Sequence, residues 1–213
     1  MTVATSPGLR ESKKQATRQQ ISDHATRLFL EQGFERTTIA EIAAAAGVAP
    51  KTVTNYFAYK EDLALDRQEE FVSSLAAAVA ARRSGEPALA ALRRAFDAAV
   101  RCHDPVAGFA GPEFARMVAD SPTLTSQLRR LHEQREAALI AALADATDED
   151  AAVVSVRAAG AALAAVHKVL FRRIQELTLE GESAHVIAET VGADADQAFD
   201  LLEPALGSFA VAS

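Results

Sequence analysis

The segment from Thr37 to Leu63 limits the possible folds more strongly than any other part of the chain. It reads TTIAEIAAAAGVAPKTVTNYFAYKEDL, in which two short helical patterns flank a glycine. Thr38 followed three residues later by Glu41 is the capping-box pattern that begins a helix. Gly47 ends this helix, and Pro50 suits the first position of the next one because no N–H is needed there. The segment therefore predicts a helix-turn-helix.

A longer amphipathic helix is predicted before this segment. Ile21, Ala25, Leu28 and Phe29 recur at helical spacing, and Gly33 follows where a left-handed residue can end a helix. Together these helices predict a three-helix unit at the N-terminal end of the chain. The residues spaced to pack its helices together are Ile39, Ile42, Ala43, Val48, Val53 and Phe57.

The rest of the chain also favours helices. Hydrophobic residues make up 49% of the sequence, Trp is absent, and alanine, the best helix former, is abundant. Runs of strand-forming residues are missing, so we expect an all-α fold of about nine helices. After the third helix, the predicted helices cover approximately residues 60–83, 87–103, 105–120, 121–146, 148–177 and 194–206.

The eighth predicted helix carries a long apolar stripe. Gly160 lies within it among alanines, and glycine inside a helix costs about 1 kcal/mol relative to alanine. Close approach of another helix would explain that cost, but periodicity leaves open whether this helix belongs to the same chain or to a partner. The stripe consists of Val156, Ala159, Leu163, Val166, Leu170, Ile174 and Leu177.

Charge is distributed unevenly along the chain. The formal net charge is −7, but residues 1–60 carry eight basic and five acidic residues, an excess of three positive charges. A basic head on an acidic body fits a protein in which one end meets phosphate.

Cys102 is the only cysteine, which excludes an intramolecular disulfide framework. With no signal-peptide pattern and no apolar run near the ~20 residues that span a bilayer, we expect a cytoplasmic protein.

The polar face of the third helix is the main candidate binding surface. Small hydrogen-bonding side chains and one cation remain outside the apolar stripe of that helix, and such groups read base edges and phosphates. This pattern predicts DNA binding. The polar or exposed positions are Pro50, Lys51, Thr52, Thr54, Asn55 and Tyr56.

Over about residues 15–65 the sequence resembles the TetR family of regulators. The matched positions have a spacing that chance agreement does not explain. They are Ile21, Ala25, Leu28-Phe29, Gly33-Phe34, Thr37-Thr38-Ile39, Ile42-Ala43, Ala46-Gly47-Val48, Thr52-Val53, Tyr56-Phe57, Lys60-Glu61 and Leu63.

This resemblance implies that residues 50–57 form a recognition helix. Lys51, Thr52 and Asn55 are then expected to reach bases or nearby backbone, while Tyr56 and Lys60 match family positions that grip phosphate. Thr38 matches a position near the DNA backbone, although we expect it to act first as a helix cap. At position 54 the family often has an aromatic residue, and this chain has Thr54, which makes the operator harder to predict. Additional unspecific contacts are expected from Arg10, Lys13 and Lys14.

The resemblance also implies a domain organisation and a mode of action. We expect a flexible arm at 1–12, a helix-turn-helix domain at 13–60, and a helical effector-binding and dimerisation domain at 61–213. We expect a homodimer that binds a palindromic operator as a repressor and is released by a small-molecule effector. Candidate pocket residues are Phe96, Phe109, Phe114, Met117, His132, His167 and Phe171. Candidate dimer-interface residues are Ala159, Leu163, Val166, Leu170, Phe199 and Leu202.

Two other classes of function remain open at this point. A helical enzyme is one alternative, although no nucleophile–base pair, phosphate loop or metal motif stands out; we predict no catalytic residues, no cofactor and no metal site. An all-α protein-interaction module is the other. DNA binding should weaken steeply as salt rises, whereas an interaction module should bind no duplex at any salt. Within the class of regulators, an activator remains open beside a repressor.

Overall fold

The computed structural model describes residues 9–212, and within that range the regular structure is entirely helical. A single 3₁₀ turn at Pro105–Ala107 accompanies ten α-helices. In chain order the helices are α1 (Leu9–Gln32), α2 (Ile39–Ala45), α3 (Pro50–Tyr56), α4 (Glu61–Ala64), α5 (Gln68–Ala80), α6 (Ala88–Arg101), α7 (Pro112–Asp120), α8 (Pro122–Thr147), α9 (Val154–Glu180) and α10 (Ala184–Leu206).

The all-α prediction is confirmed, with ten helices in the described range instead of about nine. The extra helix arises because the predicted fourth helix divides between α4 and α5. Leu65 leaves helical geometry, with φ −112° and ψ 51°, and its side chain is buried. The neighbouring Asp66 carboxylate accepts a hydrogen bond of 2.6 Å from Ser22 Oγ of α1. These two side-chain interactions favour a bend over a continuous helix.

The last helix begins earlier than predicted, at Ala184 instead of Asp194. Ser183 caps it, because its hydroxyl accepts a hydrogen bond of 3.3 Å from the backbone N–H of Val186. Gly192 then lies inside the helix, where a glycine is tolerated but weakens the sequence signal. The cap and not the interior glycine therefore sets this boundary.

The chain divides into two compact units. Unit 1 comprises Met1–Asp66 and Met117–Leu124, and unit 2 comprises Arg67–Arg116 and Thr125–Ser213. The compact boundary thus falls at Asp66, and a later segment returns to the helix-turn-helix unit. Of the arm predicted at 1–12, residues 1–8 lie outside the described residues, and residues 9–12 belong to α1.

The segment Met117–Leu124 belongs to unit 1 through side-chain contacts. Ser121 Oγ donates to Glu35 Oε1 at 2.6 Å and accepts from the backbone N–H of Leu124 at 3.1 Å. The hydrogen bond from Ser121 lowers the pKa of the Glu35 carboxyl. Leu124 is fully buried. A short helix end thus completes the packing of the N-terminal helices.

The core of unit 1 is built from the apolar stripe of α1 and the helices that follow. Ile21, Phe29 and Leu63 are almost completely buried. Among the six residues predicted to pack the helix-turn-helix, Ile39 and Val48 are only half-buried. The other four, Ile42, Ala43, Val53 and Phe57, are buried as predicted.

The core of unit 2 is organised around α9. This helix is long and apolar enough to cross a membrane by length and composition, with a mean hydropathy of 1.4 over its most apolar window, contrary to the expectation from the sequence. Eleven of its residues are buried among the other helices of unit 2. That pattern is typical of a core helix in a globular domain.

Gly160 settles which helix approaches α9 closely at this position. A Cβ added to Gly160 would collide with Ile140 Cγ1 and would lie 3.4 Å from Ile140 Cα. Ile140 belongs to α8 of the same chain. The close approach therefore occurs inside unit 2, and the glycine is explained without a partner helix.

Candidate nucleic-acid interface

The start of α2 is fixed by the capping box that the sequence predicts. Thr38 Oγ1 accepts a hydrogen bond of 3.3 Å from the backbone N–H of Glu41, and Glu41 Oε2 accepts one of 2.8 Å from the backbone N–H of Thr38. These bonds lower the pKa of the Glu41 carboxyl, chiefly through the Thr38 backbone N–H. The expected cap is confirmed, and a DNA-backbone contact by Thr38 stays a prediction.

The turn between α2 and α3 needs a left-handed residue. Gly47 has φ 67°, a conformation in which side-chain-bearing residues are strained. The backbone N–H of Val48 then reaches back to the carbonyl of Ala43 at 2.9 Å. Gln20 of α1 holds the turn from outside, with Nε2 donating to the carbonyl of Ala46 at 3.2 Å. The angle between the two short helices is fixed by these contacts.

Helix α3 buries one face and leaves the other free. Val53 is completely buried, and Phe57 at its C-terminal cap is buried as well. No acidic residue occurs between Pro50 and Tyr56. Of the residues predicted to contact DNA on this helix, the exposed ones are Lys51, Thr54 and Asn55, and the half-buried ones are Thr52 and Tyr56.

The C-terminal end of α3 is held by an arginine that the sequence reasoning missed. Arg18 NH1 donates to the carbonyl of Tyr56 at 2.9 Å, and its guanidinium lies over the ring of Phe57, 4.2 Å from the centroid. Arg18 precedes Ile21 by about one helical turn, so both lie on the same face of α1. That spacing is the signal that identifies Arg18 as a residue facing α3.

Lys60 has a structural role that the sequence did not predict. Its ammonium donates to the carbonyls of Phe34, Glu35 and Thr37 at 2.8, 3.4 and 3.1 Å. It also lies 4.2 Å from the centroid of the Phe34 ring. An ammonium has three N–H donors, and all three find backbone acceptors in the loop before α2. These contacts tie Lys60 to the loop, and a phosphate contact by Lys60 stays a prediction.

Two further residues of unit 1 affect the candidate surface. Tyr59 follows α3 and is 64% exposed. Its exposure could have been predicted from the sequence, because this aromatic residue lies outside the apolar stripes of the helices. Thr54 Oγ1 donates to the carbonyl of Lys51 at 3.2 Å within α3. The outward face therefore combines a cation, an amide and hydroxyl groups, with an exposed phenol beside it.

The positive charge of residues 1–60 does not extend to the whole of unit 1. Glu61, Asp62 and Asp66 cancel the excess of three positive charges, and Asp120 in the returning segment brings the formal charge of unit 1 to −1. The absence of acids on α3 is a local property that this sum does not change. The lack of negative charge that favours contact with phosphate is therefore a property of the surface of α3 and not of unit 1 as a whole.

Unit 2 contains a cavity of about 130 Å³. Of the seven predicted pocket residues, Phe96 and His167 line it. Burial lowers the pKa of His167 well below its usual value, so the imidazole is neutral at pH 7. The sequence reasoning missed the other polar residues of the lining. They are Ser74, Asp104 and Arg135.

The other five predicted pocket residues do not line this cavity. His132 and Phe171 belong to an aromatic cluster with Phe71, and burial lowers the pKa of His132 to about 4. Phe109 packs beside His103, with ring centroids 5.2 Å apart. The remaining two are Phe114, which is half-buried, and Met117, which is buried in unit 1.

The predicted dimer-interface residues lie inside one chain. Ala159, Leu163, Leu170 and Phe199 are at most 3% exposed, so their side chains cannot face a partner. The half-buried Val166 and Leu202 pack against the same core. Helical periodicity identified an apolar stripe correctly but could not identify what covers it. The large apolar side chains that face outward on α9 and α10 include Val154, Val169, Leu179, Val186 and Leu201.

In the part of the chain that the structure describes, no group of three or more His, Cys, Asp or Glu side chains is arranged to hold a metal ion.

Comparison with known proteins finds a family model and a relative that are similar to part of this chain. A family model described as bacterial regulatory proteins, tetR family, matches residues 21–66. The HTH-type transcriptional regulator TcmR of Streptomyces glaucescens is 37% identical over 138 residues, which cover 62% of this chain and 61% of TcmR. The family and this relative are transcriptional regulators and not enzymes.

Solved structures agree in fold. A TetR transcriptional regulator from Rhodococcus sp. RHA1 has a TM-score of 0.53 at 19% identity, covering 91% of this chain and 98% of that one. SmeT, solved as a complex with triclosan, has a TM-score of 0.57 at 19% identity, covering 89% of this chain and 91% of that one. Residues 21–66 of this chain thus match the tetR family model, and the chain shares its fold with a solved TetR transcriptional regulator.

Proposed function

We propose that the chain is a ligand-responsive transcriptional repressor that binds a palindromic DNA operator as a homodimer and releases it when a small-molecule effector binds. The outer face of α3 carries this proposal. Lys51, Thr54 and Asn55 are exposed there, and no acid interrupts the helix. Buried Val53 and Phe57 hold the opposite face in place. The surface is polar, free of negative charge and rigidly supported.

The dimensions and chemistry of α3 fit the major groove. An α-helix with its side chains is about 10–12 Å in diameter, and the groove is about 12 Å wide. An asparagine amide can pair with the two hydrogen-bonding atoms of an adenine edge, and a lysine can donate to guanine. We assign base reading to Asn55 and Lys51, and we assign backbone contacts to Thr52 and Tyr56 at the margins of this face.

The small size of the outer face of α3 favours a homodimer. One helix of two turns contacts few base pairs, and two copies on a palindrome multiply specificity. The outward faces of α9 and α10 supply exposed apolar side chains, with Val154 79%, Val169 62% and Leu201 80% exposed. Exposed Ala158 and Ala165 lie between them on α9 and would let a partner helix approach closely. We assign the dimer interface to this face.

The cavity of unit 2 is our candidate effector site. Apolar groups form most of its lining, with a few polar side chains among them, which is the usual composition of a small-molecule site. The fold neighbour SmeT is solved with triclosan, which supports a ligand-binding role for this fold. An effector that binds better to a form unable to span successive major grooves would shift the population and release DNA. Such a regulator acts in the cytoplasm, where operator DNA is.

Selection of bound sequences from a random duplex library tests the proposal. We expect a palindromic consensus whose half-site centres lie about one helical turn apart, or a multiple of it. Asn55→Ala protein should fail to enrich this consensus, whereas Gln134→Ala, which removes an exposed amide from α8, should enrich it as the wild type does. Enrichment of no sequence, or of the same sequence by the Asn55 variant, would contradict the proposal.

A further inference from the structure

Arg135 is a buried cation beside the cavity of unit 2. Its residue is 7% exposed, and its guanidinium lies 4.5 Å from the centroid of the Phe71 ring. Nε donates to Ser74 Oγ at 3.0 Å. Burial lowers the pKa of Arg135 to about 10, so the group is charged at pH 7. Arg135 forms no ion pair with any residue that the structure describes.

The carboxylate that lines the same cavity has other partners. Asp104 Oδ1 accepts from the backbone N–H of Val106 at 2.9 Å and lies 3.4 Å from Arg67 NH1. It therefore caps the 3₁₀ turn and pairs with a more exposed arginine. Its charge favours the charged form of Arg135 at longer range, but it provides no direct partner for the guanidinium.

A second polar group in the lining has no partner at all. His167 Nε2 is buried and has no hydrogen bond to the described residues. Its ring packs edge-on against Phe96 and Phe199, with centroids 5.7 and 5.5 Å apart. A buried polar atom without a partner costs free energy, and His167 is one of the residues that line the cavity. This residue is therefore a second, independent sign of a ligand.

We propose that the cavity binds a small organic anion, a carboxylate on an apolar ring, with Arg135 holding the carboxylate and His167 Nε2 donating a hydrogen bond to it. This inference rests on the proposed effector function. A planar guanidinium matches a carboxylate through two parallel hydrogen bonds, and such charge-assisted bonds are the strongest available in a dry site. Leu75, Phe96 and Val106 provide apolar walls for the ring.

Three probes of similar size that share a phenyl ring test the charge that the cavity selects. Benzoate, benzamide and benzylamine are each titrated by calorimetry at pH 7 into the full-length protein. We expect benzoate to bind about tenfold more tightly than benzamide and benzylamine to be the weakest, because a buried cation repels it. If benzoate does not bind, or binds no better than benzamide, the inference is wrong. Preference for benzylamine would assign the site to Asp104 and also overturn it.

Two variants show whether the named residues are responsible. Arg135→Met should abolish the preference for benzoate, and His167→Phe should reduce it by a smaller factor. The matched control is Arg129→Met, which removes an exposed arginine from the same helix and should leave the preference unchanged. Each variant is first checked for wild-type helicity by circular dichroism. Loss of the preference in the Arg129 variant, or its retention in the Arg135 variant, would contradict the assignment.

The same samples separate this inference from the proposed function. Ligand-free Arg135→Met protein should bind the selected duplex as tightly as the wild type, because Arg135 lies in unit 2 and not on α3. Selective benzoate binding by a protein that binds no duplex would leave the anion site standing and would reject the repressor. Duplex binding without benzoate binding would reject the anion site and would leave the proposed repressor standing.

Discussion

The two units satisfy their polar groups in opposite ways. In unit 1, Lys60 uses three backbone carbonyls, Arg18 holds the end of α3, and Gln20 holds the turn before it. In unit 2, Arg135 has one side-chain hydrogen bond and His167 Nε2 has none. Unit 1 therefore directs its long polar side chains inward to fix a surface. Unit 2 encloses polar groups that a ligand can satisfy.

This contrast relates each unit to its proposed role. A surface that reads DNA must be held in one geometry before binding, since ordering it during binding would reduce affinity. An effector site must gain favourable interactions when its ligand enters, because only a difference in binding free energy shifts a population. Rigid support in unit 1 and unmet hydrogen bonds in unit 2 are what these two requirements predict.

The largest expected effect concerns which side of α10 faces the interior of unit 2. Phe199→Ala should lower the free energy of unfolding by about 3–5 kcal/mol, because Phe199 is fully buried and truncation leaves a cavity. Leu201→Asp should leave the fold intact and dissociate the dimer, since Leu201 is 80% exposed in one chain. Urea denaturation and analytical ultracentrifugation measure the two effects. A monomeric, stable Phe199→Ala protein would instead assign Phe199 to the interface.

The next prediction tests the claim that Lys60 is a structural residue of unit 1. Lys60→Met should lower the free energy of unfolding by about 2 kcal/mol, because three carbonyls lose a charged donor. The matched control, Lys51→Met, alters an exposed side chain and should change stability by less than about 0.5 kcal/mol. Urea denaturation of both variants gives the comparison. A Lys60 variant that is fully stable but binds duplex weakly would restore the phosphate role.

Local backbone signals explain what could be predicted from the sequence. Some residues determine the backbone conformation only of the few residues next to them, as do Thr38 with Glu41, Gly47 and Pro50. The structure has the cap, the turn and the helix start that these residues predict. The roles of Lys60 and Arg18 could not be read in this way. Their acceptors are backbone carbonyls 23 to 38 residues away, and carbonyls leave no pattern in a sequence.

Periodicity has a similar limit in unit 2. The stripe containing Leu163 and Leu170 was predicted correctly as buried, but burial by a partner and burial by α8 or α10 produce the same pattern. The pocket residues were chosen as aromatic and histidine side chains, which identified Phe96 and His167. Arg135 was missed because a charged residue on a helix is usually solvated, and only the packing of unit 2 reveals its burial.

A smaller effect tests the close approach of α8 and α9 at Gly160 in unit 2. Gly160→Ala should lower the free energy of unfolding by about 1–2 kcal/mol. The new methyl group would collide with Ile140, and the cost of this collision exceeds the gain in helix propensity. Gly192→Ala, with no atom within 4 Å of the added Cβ, should stabilise by up to about 1 kcal/mol. Thermal unfolding ranks the two variants. Equal stabilisation by both would mean that α8 and α9 are not in close contact.

The smallest expected change compares the buried Arg135 of unit 2 with the half-buried Lys60 of unit 1. Arg135→Met should leave the free energy of unfolding unchanged or raise it by about 1 kcal/mol, since an apolar side chain replaces a buried charge without an ion-pair partner. Ser74 keeps a hydrogen bond after this change, because its hydroxyl donates to the carbonyl of Phe71 at 2.8 Å. The measurement is urea denaturation beside Lys60→Met. Equal destabilisation by both variants would remove the contrast between the units.

The central claim is that the outer face of α3 reads duplex DNA, and fluorescence anisotropy with the selected duplex tests it most directly. Affinity should fall steeply as salt rises, and Asn55→Ala should lose about 1–3 kcal/mol of binding free energy at every salt concentration. Lys51→Met should weaken binding and also flatten the salt dependence. Unchanged affinity in the Asn55 variant, or no duplex binding by the wild type at low salt, would contradict the account.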